Sequence, residues 1–224
     1  MLLTQYTLDA YCERIEPGLL AEPLNAFSNL SFLIAAWAAW KLAKQTGKLT
    51  LEIGILIALG AAVGLGSVIW HTYPTYASLI LDIAPIVIFI VWYVWLYTRK
   101  VIEMPSLYAV VAVVLFLLST YFAIPFAQVL HGAPIYTPGL IVVLVLGIYH
   151  AVKQRTARFA LLSTAGVYLT ALFFRTIDQE ICHLMPIGTH FIWHSLIGLV
   201  TYMAMRPLIL SFSYEGKSQK ETFM

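Results

Sequence analysis

Gly64-Leu65-Gly66-Ser67-Val68-Ile69-Trp70-His71, then Asp82, then His190-Phe191-Ile192-Trp193-His194 near the C-terminus, are the stretches on which the reading of this chain turns. Each polar member lies inside, or at the lip of, a run apolar enough to cross a membrane. Ser67 and His71 are four apart, as are His190 and His194, so on a helix each pair shares one face. Three imidazoles, a hydroxyl and a carboxylate converging in hydrocarbon are costly unless they bind something. The residue types point to a zinc ion and a water that it activates.

Composition sets the class. Of 224 residues, 61% are hydrophobic and 11% charged, and the mean hydropathy is +0.85. A soluble domain carries roughly 25% charged residues, so an integral membrane protein is expected. The apolar runs are continuous rather than alternating, which excludes a β-barrel. The expected fold is an all-α membrane protein, a seven-transmembrane helix bundle with spans near 23–43, 52–71, 76–98, 105–125, 136–152, 159–177 and 189–207. Crossing about 30 Å of hydrocarbon takes roughly 20 residues; segment 136–152 is short and bounded by Pro134 and Pro138. No internal repeat is visible. The domains read as an outer acidic N-terminal arm (1–22), a transmembrane catalytic domain (23–210) and a polar cytoplasmic tail (211–224).

Lys and Arg orient the bundle. In a seven-span arrangement Lys41, Lys44, Lys48, Arg99, Lys100, Lys153, Arg155, Arg158, Arg206, Lys217 and Lys220 share one side, and only Arg14 and Arg175 face the other, 11 against 2. The N-terminus is therefore expected outside and the C-terminus in the cytoplasm. Short loops favour a bacterial inner membrane, with the active site towards the periplasmic or lumenal side. The net charge of +2 argues against nucleic acid; the expected partners are the bilayer and a lipid substrate.

The arm carries Asp9, Glu13, Glu16 and Glu22, which read either as a solvated acidic face or as carboxylates for a hard cation such as calcium. Glu22-Pro23 suits a helix start, and Asn25, Ser28 and Asn29 follow on one face, as interhelical glue or as support for a ligand. Asp82 falls about two turns into its span, roughly 10 Å deep, where a carboxylate costs about 2.5–3.5 kcal/mol. His150 is read as interfacial on the cytoplasmic side, His131 as a loop residue and His183 as a weak ligand candidate. Arg175 and Asp178, three apart, read as an ion pair or as support for the site. Cys12 and Cys182 both fall in the outer, oxidising compartment, as a disulfide or as two free thiols. The spans bearing Ser67/His71, Asp82 and His190/His194 all meet the outer third of the membrane.

Three neutral imidazoles with one open position are the donor set of a catalytic zinc, which lowers the pKa of its water to about 7. Asp82 is then placed to orient the water, take its proton and pass it to a departing amine or alcohol. Ser67, one turn from His71, can hydrogen-bond the water or the oxyanion formed on attack. A site within the apolar layer suits a lipid amide or ester.

Tyr11-Cys12-Glu13, Glu22-Pro23-Leu24-Asn25 with Ser28-Asn29, Gly66-Ser67 with His71, Asp82, and His190 with His194 together resemble the alkaline ceramidases. These are part of a wider superfamily of seven-span metal hydrolases with adiponectin-receptor-like and GPI-anchor lipid-remodelling proteins. The resemblance runs from the arm to the last span. It implies that His71, His190 and His194 ligate zinc, that Ser67 and Asp82 assist the catalytic water, and that Cys12 and Cys182 form a disulfide. The reaction it implies is cleavage of the amide bond of ceramide or a related N-acyl lipid, releasing a fatty acid. It also implies calcium near the zinc, for which Glu13 and Glu22 remain. The family's Asp-Trp-Cys-Glu-x-Asn arm is here Ala10-Tyr11-Cys12-Glu13-Arg14-Ile15, without the aspartate and asparagine unless Asp9 or Glu16 substitutes. Two rivals are a lipid esterase or remodelling hydrolase with the same zinc site, and a receptor-like seven-span protein whose zinc is structural. Asp82 separates the last from the enzymes, since a structural site has no use for a free carboxylate beside its open position.

Overall fold

The computed structural model describes residues 11–14, 21–127 and 129–212. Asp9, Glu16, Lys217 and Lys220, most of the arm, and the tail beyond Phe212 lie outside the described residues. Those described form helices and no strand. They are α1 (Pro23–Ser28), α2 (Leu30–Gln45), α3 (Leu51–Thr72), α4 (Tyr76–Leu96), α5 (Ser106–Ala123), α6 (Thr137–Val152), α7 (Ala160–Ile177) and α8 (His190–Ser211). The π-helical turn Tyr97–Val101 prolongs α4, and the 3-10 segments Ile124–Phe126 and Val129–Tyr136 lead from α5 to α6.

From α2 to α8 each helix packs on its chain neighbour, and α8 closes the ring against α2. α1 wedges between α3 and α8 at one end. Five stretches are long and apolar enough to cross a membrane: Leu51–Thr72, Tyr76–Val101, Ser106–Phe126, Val129–Val152 and Ala160–Ile177. The expected first span is not one helix, because the chain turns at Asn29 and leaves α2 only 16 residues long. α8 is long, but carries His190, His194 and Arg206. Outward faces are apolar: on α5 only Ala109 and Phe116 are buried, while Leu107, Val110, Val111, Val114 and Leu115 are exposed. An apolar surface of this extent is what a lipid solvent accepts and water does not.

The main core fills the end of the ring away from His71, where Leu56, Tyr97, Leu161, Met205 and Leu208 are fully buried. His150, near the end of α6, is fully buried beside that core. Tyr97 donates to its Nδ1 at 2.6 Å, and its Nε2 donates to the Thr156 carbonyl at 2.7 Å. The loop after α6 folds back far enough to supply that carbonyl, which no spacing rule reveals.

At the other end α3 and α4 come together backbone to backbone. Pro85 has no N–H for the Leu81 carbonyl one turn earlier. That carbonyl instead faces Gly66 so closely that a Cβ on Gly66 would collide with it. Gly66→Ala should therefore lower stability by about 1–3 kcal/mol, the cost of overpacking against atoms that cannot swing away. Gly166→Ala, in a helix with open space around it, should instead stabilise by about 0.5–1 kcal/mol; thermal unfolding in detergent reads both.

Candidate metal centre

Three helix ends build the site. His71 ends α3, and the chain turns through Tyr73-Pro74 into α4, whose start is fixed by a reciprocal capping box between Thr75 and Ser78. Asp82 follows on the second turn of α4. His190 opens α8, with His194 one turn on. The free amides at the start of α8 are met from outside the helix: Asp178 accepts from the Thr189 and His190 amides at 2.6 and 2.9 Å. Gly188, at φ +63°, lets the chain pass there, since a Cβ would strike the Asp178 carboxylate and Cys12.

His71, His190 and His194 are all buried, and one ring nitrogen from each lies within 4.8 Å of the other two. Ring centroids are 4.5 Å apart for His190 and His194, 4.7 Å for His71 and His194, and 5.4 Å for His71 and His190. Two rings are held from behind. The His71 Nδ1–H donates to Glu22, and the His194 Nδ1–H to the Asn25 carbonyl at 3.0 Å. Ser28 and Asn29 close around His194 Nδ1 at 3.0 and 3.4 Å, so the polar face read on the first span meets a triad ring and joins α8 at the same time. With Nδ1 protonated, Nε2 of both rings turns its lone pair to the site, the arrangement that outer partners impose on metal-binding imidazoles. Tyr11 stacks on His190 at 4.0 Å, and Arg175 Nη1 reaches its Nδ1 at 3.5 Å. The donor set fits a metal of the zinc type, bound by nitrogen at about 2.0–2.1 Å.

The triad lines an open cavity walled by residues of α2, α3, α4, α6, α7 and α8. Ser67 and Asp82 line it too, with the hydroxyl in hydrogen-bonding reach of the carboxylate. Apolar side chains continue the wall from α3 (Val63), α4 (Ile86, Phe89) and α8 (Val200, Ala204), while α5 contributes none. Tyr11, Tyr136 and Trp193 also face it. Sequence reasoning gave these aromatics no role; their only signal was lying next to, or on the helix of, a histidine or cysteine already singled out.

The arm is tied down by a Cys12–Cys182 disulfide. Glu13 then caps α1 from a distance, accepting from the Leu24 and Asn25 amides at 2.6 and 2.8 Å; burial nevertheless pushes its carboxyl up. Glu22 is buried between Arg14, His71 and the Asn25 side-chain amide. Burial opposes its ionisation, but His71 and Arg14 outweigh this and hold it below the usual carboxylate range. Calcium is poorly served here. All four oxygens of Glu13 and Glu22 are engaged, and the Arg14 guanidinium already supplies the positive charge. Arg175 and Asp178 do not pair with each other among the described residues. Asp178 caps α8, and Arg175 lies over Tyr136 and Trp193, at 4.6 and 5.4 Å from their rings. His131 pairs with Glu180 at 3.0 Å, and His183 is exposed and outside the cluster.

A family model described as Ceramidase matches residues 10–224, and the chain belongs to that family. No curated protein matches it.

The buried Arg14–Glu22–His71 series has a measurable consequence. Glu22→Gln should weaken metal retention about 10–100-fold, the range for loss of an outer partner of a ligand, and Arg14→Gln less, as read by chelator competition. Calcium or a calcium chelator should leave the melting temperature of the unaltered protein where it is.

Proposed function

From its place in the ceramidase family we propose that the chain is a zinc-dependent intramembrane amidohydrolase that cleaves the amide bond of ceramide or a related N-acyl lipid and releases a fatty acid. One observation carries this reading: three buried imidazoles present nitrogens to a single point in the wall of an apolar cavity that also holds Asp82 and Ser67. A bound zinc ion would supply Lewis acidity and an ionisable water at neutral pH.

His71, His190 and His194 would hold that ion. The acyl chain lies in the apolar part of the cavity, which brings the amide carbon to the mouth beside Asp82 without exposing the chain to water. The Asp82 carboxylate takes a proton from the attacking water and returns it to the departing nitrogen as the C–N bond breaks. Ser67 donates to Asp82 and holds it on the water's side of the cavity.

The same reading makes the ring of α2 to α8 a seven-span bundle in the membrane, with the arm and the site outside and the tail in the cytoplasm. In its support, basic residues fall 11 against 2 on the two sides. The cysteine pair belongs in an oxidising compartment, which suits an arm on the periplasmic side of a bacterial inner membrane. Arm 1–22, bundle 23–210 and tail 211–224 remain the proposed division.

The test is metal analysis of the purified protein together with ceramide hydrolysis, with and without a chelator. Asp82→Asn should keep zinc while the rate falls about 10²–10⁴-fold, the worth of a positioned general base. His194→Ala should lose zinc and turnover together. Wild-type hydrolysis by Asp82→Asn would remove the mechanism.

A further inference from the structure

Arg175 brings a positive charge into the cavity wall, and the steps above make no use of it. It comes from the last turn of α7, beside the triad, with Nη1 3.5 Å from the His190 Nδ1. Its guanidinium is held over the Tyr136 ring at 4.6 Å and the Trp193 ring at 5.4 Å, and Tyr11 is within hydrogen-bonding reach. The carboxylate one turn on, Asp178, is committed to the α8 amides. Among the described residues Arg175 has no carboxylate in direct ion-pair contact.

A charge in an apolar layer without a counter-charge is destabilising, and such charges mark where substrate goes. The imidazole beside Arg175 cannot neutralise it, and a cation on the triad adds to the positive field. Asp82 acts on Arg175 through the cavity but makes no direct ion pair with it among the described residues. The occupant that satisfies two positive centres at once is an oxygen carrying negative charge. Two adjoining aromatic rings, themselves 4.9 Å apart, hold the guanidinium in place in advance, so little reorganisation is needed when that charge develops.

We propose that Arg175 is a catalytic residue that binds the acyl oxygen of the substrate, stabilises it as charge builds on it during attack, and afterwards holds the carboxylate of the released fatty acid. The proposal rests on the amidohydrolase reading. The oxygen of water joins the acyl carbon, the C–N bond breaks, and the proton passes through Asp82 to nitrogen. Arg175 keeps its protons throughout and contributes charge and direction.

The experiment uses full-length, metal-loaded protein in detergent, with Arg175→Met and Arg175→Lys beside the unaltered chain. Bound metal, kcat and KM for an N-acylsphingosine are measured, with binding of palmitate and of the uncharged hexadecanol followed by calorimetry. Arg175→Met should retain its metal and lose about 10²–10³-fold in kcat with little change in KM, the signature of a donor to a developing oxyanion. Its palmitate affinity should fall about tenfold or more, the loss of a charge-assisted bond, and its hexadecanol affinity should not move. Arg175→Lys should recover part of both losses, since it keeps the charge without the planar fork. If Arg175→Met does not fold, Arg175→Lys carries the test alone, with palmitate weakened and hexadecanol unaffected. Loss of metal in step with activity would reduce Arg175 to a prop for His190 and overturn the proposal, as would equal palmitate binding in every variant. Arg175-dependent palmitate binding by a protein that cleaves no N-acyl lipid would sink the amidohydrolase reading and leave the anion site standing.

Discussion

The His71 and His194 imidazoles can face one another in an apolar ring because acceptors behind them hold their outer N–H groups. Imidazole has one donor and one acceptor nitrogen, and burying either without a partner costs as much as a lost hydrogen bond. Here Glu22 takes the His71 proton and the Asn25 carbonyl takes that of His194. Both acceptors stand on the chain just before α2, so the short α1 exists to bring them there. Arg14 balances Glu22, the disulfide keeps Arg14 in place, and the arm thereby becomes part of the site.

The same economy governs the helix ends. α8 begins inside the protein, on the buried Thr189 and His190, whereas α1 begins at the surface; neither has a capping side chain of its own. Glu13 and Asp178 supply the missing acceptors from elsewhere in the chain. Each also adds negative charge at the positive end of a helix. Asp178 further accepts from the Cys12 amide at 3.3 Å, so one carboxylate fixes both the start of the histidine-bearing helix and the anchored arm.

How much of this was legible depends on whether the information is local. The four-residue spacings of Ser67/His71 and His190/His194 depend only on helix geometry, and polar residues in apolar runs are conspicuous, so the cluster could be read from the chain. Asn25, Ser28 and Asn29 were visible as a polar face, but not the ring that they support. Arg175 and Asp178, three apart, invited the reading of a pair. In fact Asp178 is drawn to helix amides and Arg175 to aromatic faces, both brought in by tertiary packing. The break at Asn29 was hidden because no Gly or Pro falls near it to mark a helix end. Calcium was read from the carboxylates of the arm and from the family resemblance, and neither reveals that Glu13 spends both oxygens on backbone amides and Glu22 faces an arginine.

The two buried histidine sites show why accounting for each nitrogen separates structure from chemistry. At the far end of the ring His150 is as deeply buried as His71, yet Tyr97 and Thr156 use both of its nitrogens. No lone pair remains, it is not among the residues lining the triad's cavity, and its work is to join α4 to α6. In the triad each of His71 and His194 uses only Nδ1, and among the described residues the second nitrogen has no hydrogen-bond partner while the ring lines the cavity. Depth, residue type and helical setting are shared by the two sites, so none of these distinguishes them. What differs is the valence left over, and only the triad has donor capacity to give to an ion.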